Sequence, residues 1–370
     1  MADNNVEAFR DTPSLLVDLD KMEANLKEMA DVAADAGVAL RPHVKTHKSP
    51  GLARLQLDYG AAGITVAKIG EAEVMADAGI TDIRIAYPIV GEAKLARLER
   101  LMERADVSIS LDSIEAARGL SDLGERLGRQ IPILLKVNTG LDRVGSLPGQ
   151  ESLRLAEQIG ALPGVDLVGL LTHEGHALRS HSRDEAKERA VRAGEAMVQT
   201  AELLRGSGFD IREVSVGSTP TARDIAYVSG VTEIRPGTYI FNDLNEMTIG
   251  VATEATVALT VLATVVSIPA DNRAIIDAGS KTLSTDGLVP APDSGFGYVR
   301  GHPDIRIDHL TEEHGILFLD AARDKLNIGE QLEIIPNHVC PVVNLADVMY
   351  GMRRGKLERE IPVSARGKNR

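Results

Sequence analysis

Lys45 lies in the run Arg41-Pro42-His43-Val44-Lys45-Thr46-His47-Lys48, which closes a β-prone stretch. An amine at the C-terminal end of a strand, partly buried and near other cations, has a lowered pKa and can form a Schiff base. A basic surface loop fits the same run, and for Lys48 that is the preferred reading. Two later segments carry oxyanion-binding chemistry: Val216-Gly217-Ser218-Thr219-Pro220-Thr221 and Arg235-Pro236-Gly237-Thr238-Tyr239. Glycine lets backbone N–H groups approach an oxyanion closely, and hydroxyls add donors. Either segment alone also fits an ordinary turn. His173, in Leu170-Leu171-Thr172-His173-Glu174-Gly175-His176, ends another strand, as does Arg143 in Asn138-Thr139-Gly140-Leu141-Asp142-Arg143. His176, Arg179 and His181 are candidates for the entrance or a substrate carboxylate, and Tyr87 for the pocket wall. The sole cysteine sits in His338-Val339-Cys340. On a strand, residues two apart share a face, so an imidazole and a thiolate would together suit a divalent ion such as zinc. A buried cysteine beside a surface histidine fits that spacing equally.

Strands alternating with helices must position these groups. Residues 14–18 lead into 20–36, where Met22, Leu26, Met29 and Ala33 recur at helical spacing. Residues 38–45, 63–69, 82–90, 106–112, 132–138, 165–171, 213–217 and 232–236 are short apolar runs, each followed by a helical pattern or a turn. Nearly continuous apolar strands separated by helices indicate a parallel sheet covered on both faces. About eight such units favour a closed (β/α)8 barrel over an open doubly wound sheet. The texture changes near residue 245. Residues 255–268 alternate, and RAIIDAG, GILFLD and QLEIIPNHV read as further strands. The expected organisation is a barrel over 1–248, whose first strand can join the other domain, and a mostly antiparallel β domain over 249–370. The polar tail, 364–370, is expected to fray.

The balance of 41 basic against 54 acidic residues gives a net charge of −13. With 3% aromatics and no Trp, this argues against a nucleic-acid partner. No apolar run is long enough to cross a bilayer. The segment MADNNVEAF lacks the basic and apolar regions of a secretory signal. A soluble cytoplasmic protein is expected, with any anion site made by local concentration of cations.

Residues 12–50 resemble the N-terminal signature of D-threonine aldolases and eukaryotic-type D-serine dehydratases. These are fold-type III pyridoxal phosphate (PLP) enzymes built, like alanine racemase, from a barrel and a β domain. The resemblance extends in order along nearly the whole chain. It implies that Lys45 carries PLP. It places Gly217, Ser218, Thr219, Gly237, Thr238 and Tyr239 at the cofactor phosphate, His173 against its ring and Arg143 near the ring oxygen. It makes His338 and Cys340 the ligands of a divalent metal, zinc or manganese. Many D-threonine aldolases have Asp where this chain has Cys340, whereas D-serine dehydratases carry the His-x-Cys pair with zinc. The leading expectation is a lyase that splits D-3-hydroxy amino acids into glycine and an aldehyde. The alternative is a dehydratase giving a keto acid and ammonia, with a racemase or a non-catalytic PLP carrier less favoured. A homodimer is implied by resemblance alone.

Overall fold

In the computed structural model, which describes residues 11–320 and 325–370, the first strand, β1 (Ser14–Asp18), is buried from Ser14 to Val17. The MADNNVEAF segment lies outside the described residues. The chain forms two compact units. One comprises 28–45, 52–237 and 368–370; the other comprises 11–27, 46–51, 238–320 and 325–367.

The first unit is built on eight parallel strands: β2 (Ala39–Leu40), β3 (Ile64–Val66), β4 (Asp82–Ile85), β5 (Asp106–Leu111), β6 (Ile131–Lys136), β7 (Val165–Leu171), β8 (Glu213–Val216) and β9 (Glu233–Ile234). Their order is β2-β9-β8-β7-β6-β5-β4-β3. A parallel bridge between His43 and Thr65 joins the two end strands. There Val44 N–H donates to Thr65 O and Thr65 N–H to Pro42 O, both at 2.8 Å. The eight parallel strands thus curl round on themselves, as the (β/α)8 pattern indicated. Helices follow from local chemistry. Ser113 caps Ile114–Leu127, and Gly128, at φ 64°, ends it. The buried stripe Ala116, Ala117, Leu120 and Leu123 faces inward. Ser182 caps Arg183–Gly206 by accepting the Glu185 N–H, and the Glu185 carboxylate accepts from the His181 N–H at 2.8 Å.

The interior of this sheet is not uniformly apolar. Arg84, 2% exposed, and Arg41 both bond the buried Glu233 carboxylate, Arg41 Nε at 2.7 Å. The Ser215 hydroxyl donates to the same carboxylate and accepts from Arg84 and Arg235. Charges removed from water persist only when paired and hydrogen-bonded. Arg84 of DIRI and Glu233 and Arg235 of TEIRP, with Arg41, therefore form a paired charged layer inside the sheet.

In the second unit, β1 is followed by β10 (Leu259–Ala270), β11 (Arg273–Ile276), β12 (Tyr298–Val299), β13 (Arg306–Leu310), β14 (Gly315–Phe318), β15 (Gln331–Ile335), β16 (Val348–Arg353) and β17 (Lys356–Pro362). The order is β11-β14-β13-β12-β15-β10-β1-β16-β17, with β11 also pairing β10. All pairs are antiparallel except β1–β16. Sitting between β10 and β16, β1 has no free edge.

Two expectations are corrected. The tail does not fray: Ala365 is fully buried and its N–H bonds Lys48 O at 2.9 Å, while Gly367 N–H bonds Asn344 Oδ1 at 3.0 Å. Arg370 O accepts from Gly70 N–H at 2.9 Å, and a Cβ on Gly70 would lie 2.7 Å from that oxygen. Lys48 is not a surface residue but is 5% exposed, with φ 51°. Among the described residues no helix is long and apolar enough to cross a membrane.

Candidate active site

Lys45 follows the short strand β2 by five residues, in a turn, and is half-buried. Its N–H reaches His43 Nδ1 at 3.4 Å. The first unit brings Lys45 together with His43, Lys136, Arg143, His173 and Arg235. Burial, then the charge of Lys45, holds His43 and His173 well below the usual imidazole pKa, with Arg235 and Lys136 adding to the effect. Arg143 also acts on His173. Burial, then Arg143 and Arg235, lowers Lys136 to about 8, and its Nζ donates to Ala86 O at 3.0 Å. Burial lowers Arg235 to about 10 against the pull of Glu233 and Glu174. Lys136, Thr139, Arg143, Thr172 and His173 line one pocket. Two neutral imidazoles among several cations make a site for an anionic ligand with a flat ring.

The two candidate phosphate segments follow β8 and β9, the seventh and eighth strands of the parallel sheet. They are braced from within. Gly217 (φ 90°) gives its N–H to Glu174 Oε2 at 3.0 Å, and Ser218 N–H goes to Thr221 Oγ1 at 2.9 Å. Gly237 N–H goes to Thr219 Oγ1 at 3.2 Å, so the two segments are tied together. Thr238 and Tyr239 begin the second unit in a short 3-10 turn, Thr238–Ile240. There the Thr238 hydroxyl donates to Glu246 at 2.9 Å and Tyr239 is fully buried. The donor types and the cationic surroundings fit PLP.

His338 and Cys340 are not on a strand, as their spacing suggested. β15 ends at Ile335; His338 is extended (φ −139°) and caps the helix Val339–Leu345, which contains Cys340. The pair still meets. Burial alone would lower the His338 pKa, but the Cys340 thiolate, the Asp286 hydrogen bond and Asp243 push it up to about 11. Asp286 Oδ2 lies 2.8 Å from His338 Nδ1, and Cys340 Sγ lies 3.3 Å from Thr46 Oγ1. An imidazole and a thiol side by side are donor types that fit a divalent metal, with Asp286 orienting the imidazole. Among the described residues no group of three or more His, Cys, Asp or Glu side chains is arranged to hold an ion.

Other candidates separate. His176 is buried, whereas Arg179 and His181 are exposed. Tyr87, proposed for the pocket wall, is 44% exposed, with the Lys68 ammonium 3.3 Å above its ring. Sequence reasoning missed His43, Lys136, Glu174, Arg235 and Asp286. The available signal for Lys136 was a lone charge ending the apolar strand PILLK; nothing local marked Asp286, 52 residues from His338.

The depressed histidines predict a pH effect. Folded His43 and His173 stay neutral, while the unfolded chain protonates them near pH 6.5. Below that pH the unfolded state binds more protons, so each costs about 1.4 kcal/mol of stability per pH unit as pH falls. The raised His338 opposes this near neutrality, where only the unfolded chain releases its proton, and adds little slope below about pH 6, where both states hold it. Urea unfolding of the ligand-free protein between about pH 7 and 5 measures this; constant stability would contradict it.

Residues 17–244 match the model of the alanine racemase N-terminal domain, and residues 258–352 that of a putative serine dehydratase domain. The chain is 36% identical to a D-threonine aldolase of Arthrobacter sp., over 97% of this chain and 94% of that protein. The crystal structure of the D-threonine aldolase from Filomicrobium marinum superposes with a TM-score of 0.89 at 35% identity, covering 96% of this chain and 95% of that one. The D-threo-3-hydroxyaspartate dehydratase of Delftia sp. HT23 gives 0.89 and 35%, covering 96% and 98%. Solved structures of a D-threo-3-hydroxyaspartate dehydratase include a histidine-to-alanine variant and a metal-free cysteine-to-alanine variant, the two positions being two residues apart. With both domain matches in order along it, the chain belongs to the alanine racemase N-terminal domain family, within the fold-type III PLP-dependent branch that includes D-threonine aldolases and D-serine dehydratases.

Proposed function

We propose that this protein is a PLP- and divalent-metal-dependent lyase that cleaves D-3-hydroxy amino acids, as a D-threonine aldolase does. The observation that carries this reading is the gathering of the buried Lys136 and Arg235 and the exposed Arg143 with the neutral His43 and His173 around the half-buried Lys45. When bound, PLP supplies an electron sink for a bond broken at the substrate α-carbon. Lys45 anchors it covalently. Ser218, Thr219, Gly237, Thr238 and Tyr239 hold its phosphate, and Gly217 shapes that loop. His173 would lie against the ring, where its neutrality adds no further positive charge. Arg143 would face the ring oxygen. The Lys45 amine, when free, would be placed to carry a proton at the α-carbon. His338 and Cys340 would hold a divalent ion, zinc or manganese, which would supply a Lewis acid for the β-hydroxyl.

In the aldolase reaction D-threonine loses its hydroxyl proton to a base, Cα–Cβ breaks, and the α-carbon takes up a proton to give glycine and acetaldehyde. The dehydratase reading is favoured by one feature, the cysteine at 340. In that reaction D-serine loses its α-proton and its hydroxyl, giving pyruvate and ammonia after hydrolysis. Assay with D-threonine and D-serine separates the two; pyruvate from D-serine without cleavage of D-threonine would overturn the aldolase reading. Two copies are proposed to assemble, which light scattering would show as twice 39.6 kDa.

Asp286→Asn is expected to weaken metal binding by roughly 10–100-fold, the usual effect of losing a carboxylate that orients a ligand imidazole. Competition with a chromophoric chelator reads this directly; unchanged affinity would remove Asp286 from the site.

A further inference from the structure

Glu174 follows the strand that delivers His173, and its carboxyl is fully buried. No mechanism above uses it. Oε2 accepts the Gly217 N–H at 3.0 Å and the Thr221 hydroxyl at 3.2 Å. Thr221 Oγ1 in turn takes the Ser218 N–H at 2.9 Å and lies 3.0 Å from the Ser218 hydroxyl. Besides its internal bonds and the tie from Gly237 to Thr219, the loop after β8 is therefore held by a carboxyl belonging to the neighbouring strand end. Its other oxygen, Oε1, is buried with no hydrogen-bond partner. The groups that bond the carboxyl side chain are an amide and a hydroxyl, and none is a cation.

We propose that Glu174 is the positioning residue of the phosphate loop and that it works as an uncharged carboxylic acid. An ionised carboxylate here would be a buried charge without a hydrogen-bonded counter-ion. It would also stand on the loop that must receive a phosphate dianion and repel it. A neutral acid sets Gly217 and Ser218 without that repulsion. Burial pushes the Glu174 pKa up, against the attraction of Arg235 and its hydrogen bonds, which agrees with this state. The side chain also ties the loop to the residue after His173, so phosphate and ring positions share one support.

This inference rests on the PLP reading, and its test separates the two. Pyridoxine 5′-phosphate and pyridoxine lack the aldehyde, so they report phosphate binding without the Lys45 link. Wild-type protein should bind the phosphorylated compound at least ~100-fold more tightly, as expected of several charge-assisted hydrogen bonds. Glu174→Gln, which keeps an acceptor and no charge, should retain that ratio within about threefold. Glu174→Ala should reduce it by ~10-fold or more, while pyridoxine binding changes little. Thr221→Val removes one donor to the carboxyl and should reduce the ratio in the same direction, which covers the case of a Glu174→Ala protein that does not fold. Loss of the ratio in Glu174→Gln would show that the negative charge is required and overturn the proposal. A ratio unchanged in both Glu174→Ala and Thr221→Val would overturn it too. Absence of any phosphate preference in wild type would instead defeat the PLP reading, and this inference with it.

Discussion

Lys45→Ala is expected to lose the visible absorbance of PLP bound through a Schiff base and to lower kcat by roughly 10³-fold or more, the loss expected when a covalent anchor and proton carrier disappear together. The argument is one of place. Lys136 is also a buried lysine near this cluster, and it is the amine that burial and its arginine neighbours lower to about 8. Reactivity alone would therefore nominate Lys136. Its Nζ, however, donates to Ala86 O at 3.0 Å and ends a strand interior, whereas Lys45 stands in the turn beyond β2. The two assignments give opposite results. If Lys45 is the anchor, Lys136→Ala keeps the absorbance band; if Lys136 is the anchor, the band survives in Lys45→Ala and vanishes in Lys136→Ala. Borohydride reduction followed by peptide mass analysis would identify the modified lysine directly.

Removal of the divalent ion is the second large effect. Treatment with a strong chelator is expected to reduce D-threonine cleavage on the order of 10³-fold, several kcal/mol of lost stabilisation at the β-hydroxyl. Zinc or manganese should restore wild-type protein. Cys340→Ala should resemble the chelated enzyme and resist restoration, because His338 alone is a poor site. Retained PLP absorbance in both samples would place the defect at the metal and not at the cofactor. Full activity after verified metal depletion would remove His338 and Cys340 from the chemistry. Cys340→Asp is the informative companion: it keeps an anionic ligand but exchanges a soft thiolate for a hard carboxylate, which should shift preference from zinc toward manganese.

Much of the molecule was readable locally. Apolar runs of β-branched residues between helical stripes required a parallel sheet, and the change of texture near residue 245 marked the onset of a β-rich region. The pairing of β1 with β10 and β16 shows how a strand read next to a helix can belong to a sheet built hundreds of residues later. The hairpin β16–β17 escaped notice because its last strand is charged and mostly exposed, which breaks the apolar alternation. The tail was misjudged for the same reason: a polar composition says nothing of backbone hydrogen bonds to Lys48 and Gly70.

The residue types able to do the chemistry, their order and their placement after strands are properties of the one-dimensional chain. Which of them meet is not. Curling of the parallel sheet gathers Lys45, Lys136, His173 and Arg235 from strands far apart in sequence, and their mutual repulsion and burial then keep the two imidazoles neutral. The turn after β15 brings Asp286 to His338, and the end of β7 brings Glu174 to Gly217. Local periodicity determines faces; only closure of sheets determines neighbours, because long-range contacts carry no short-range signature.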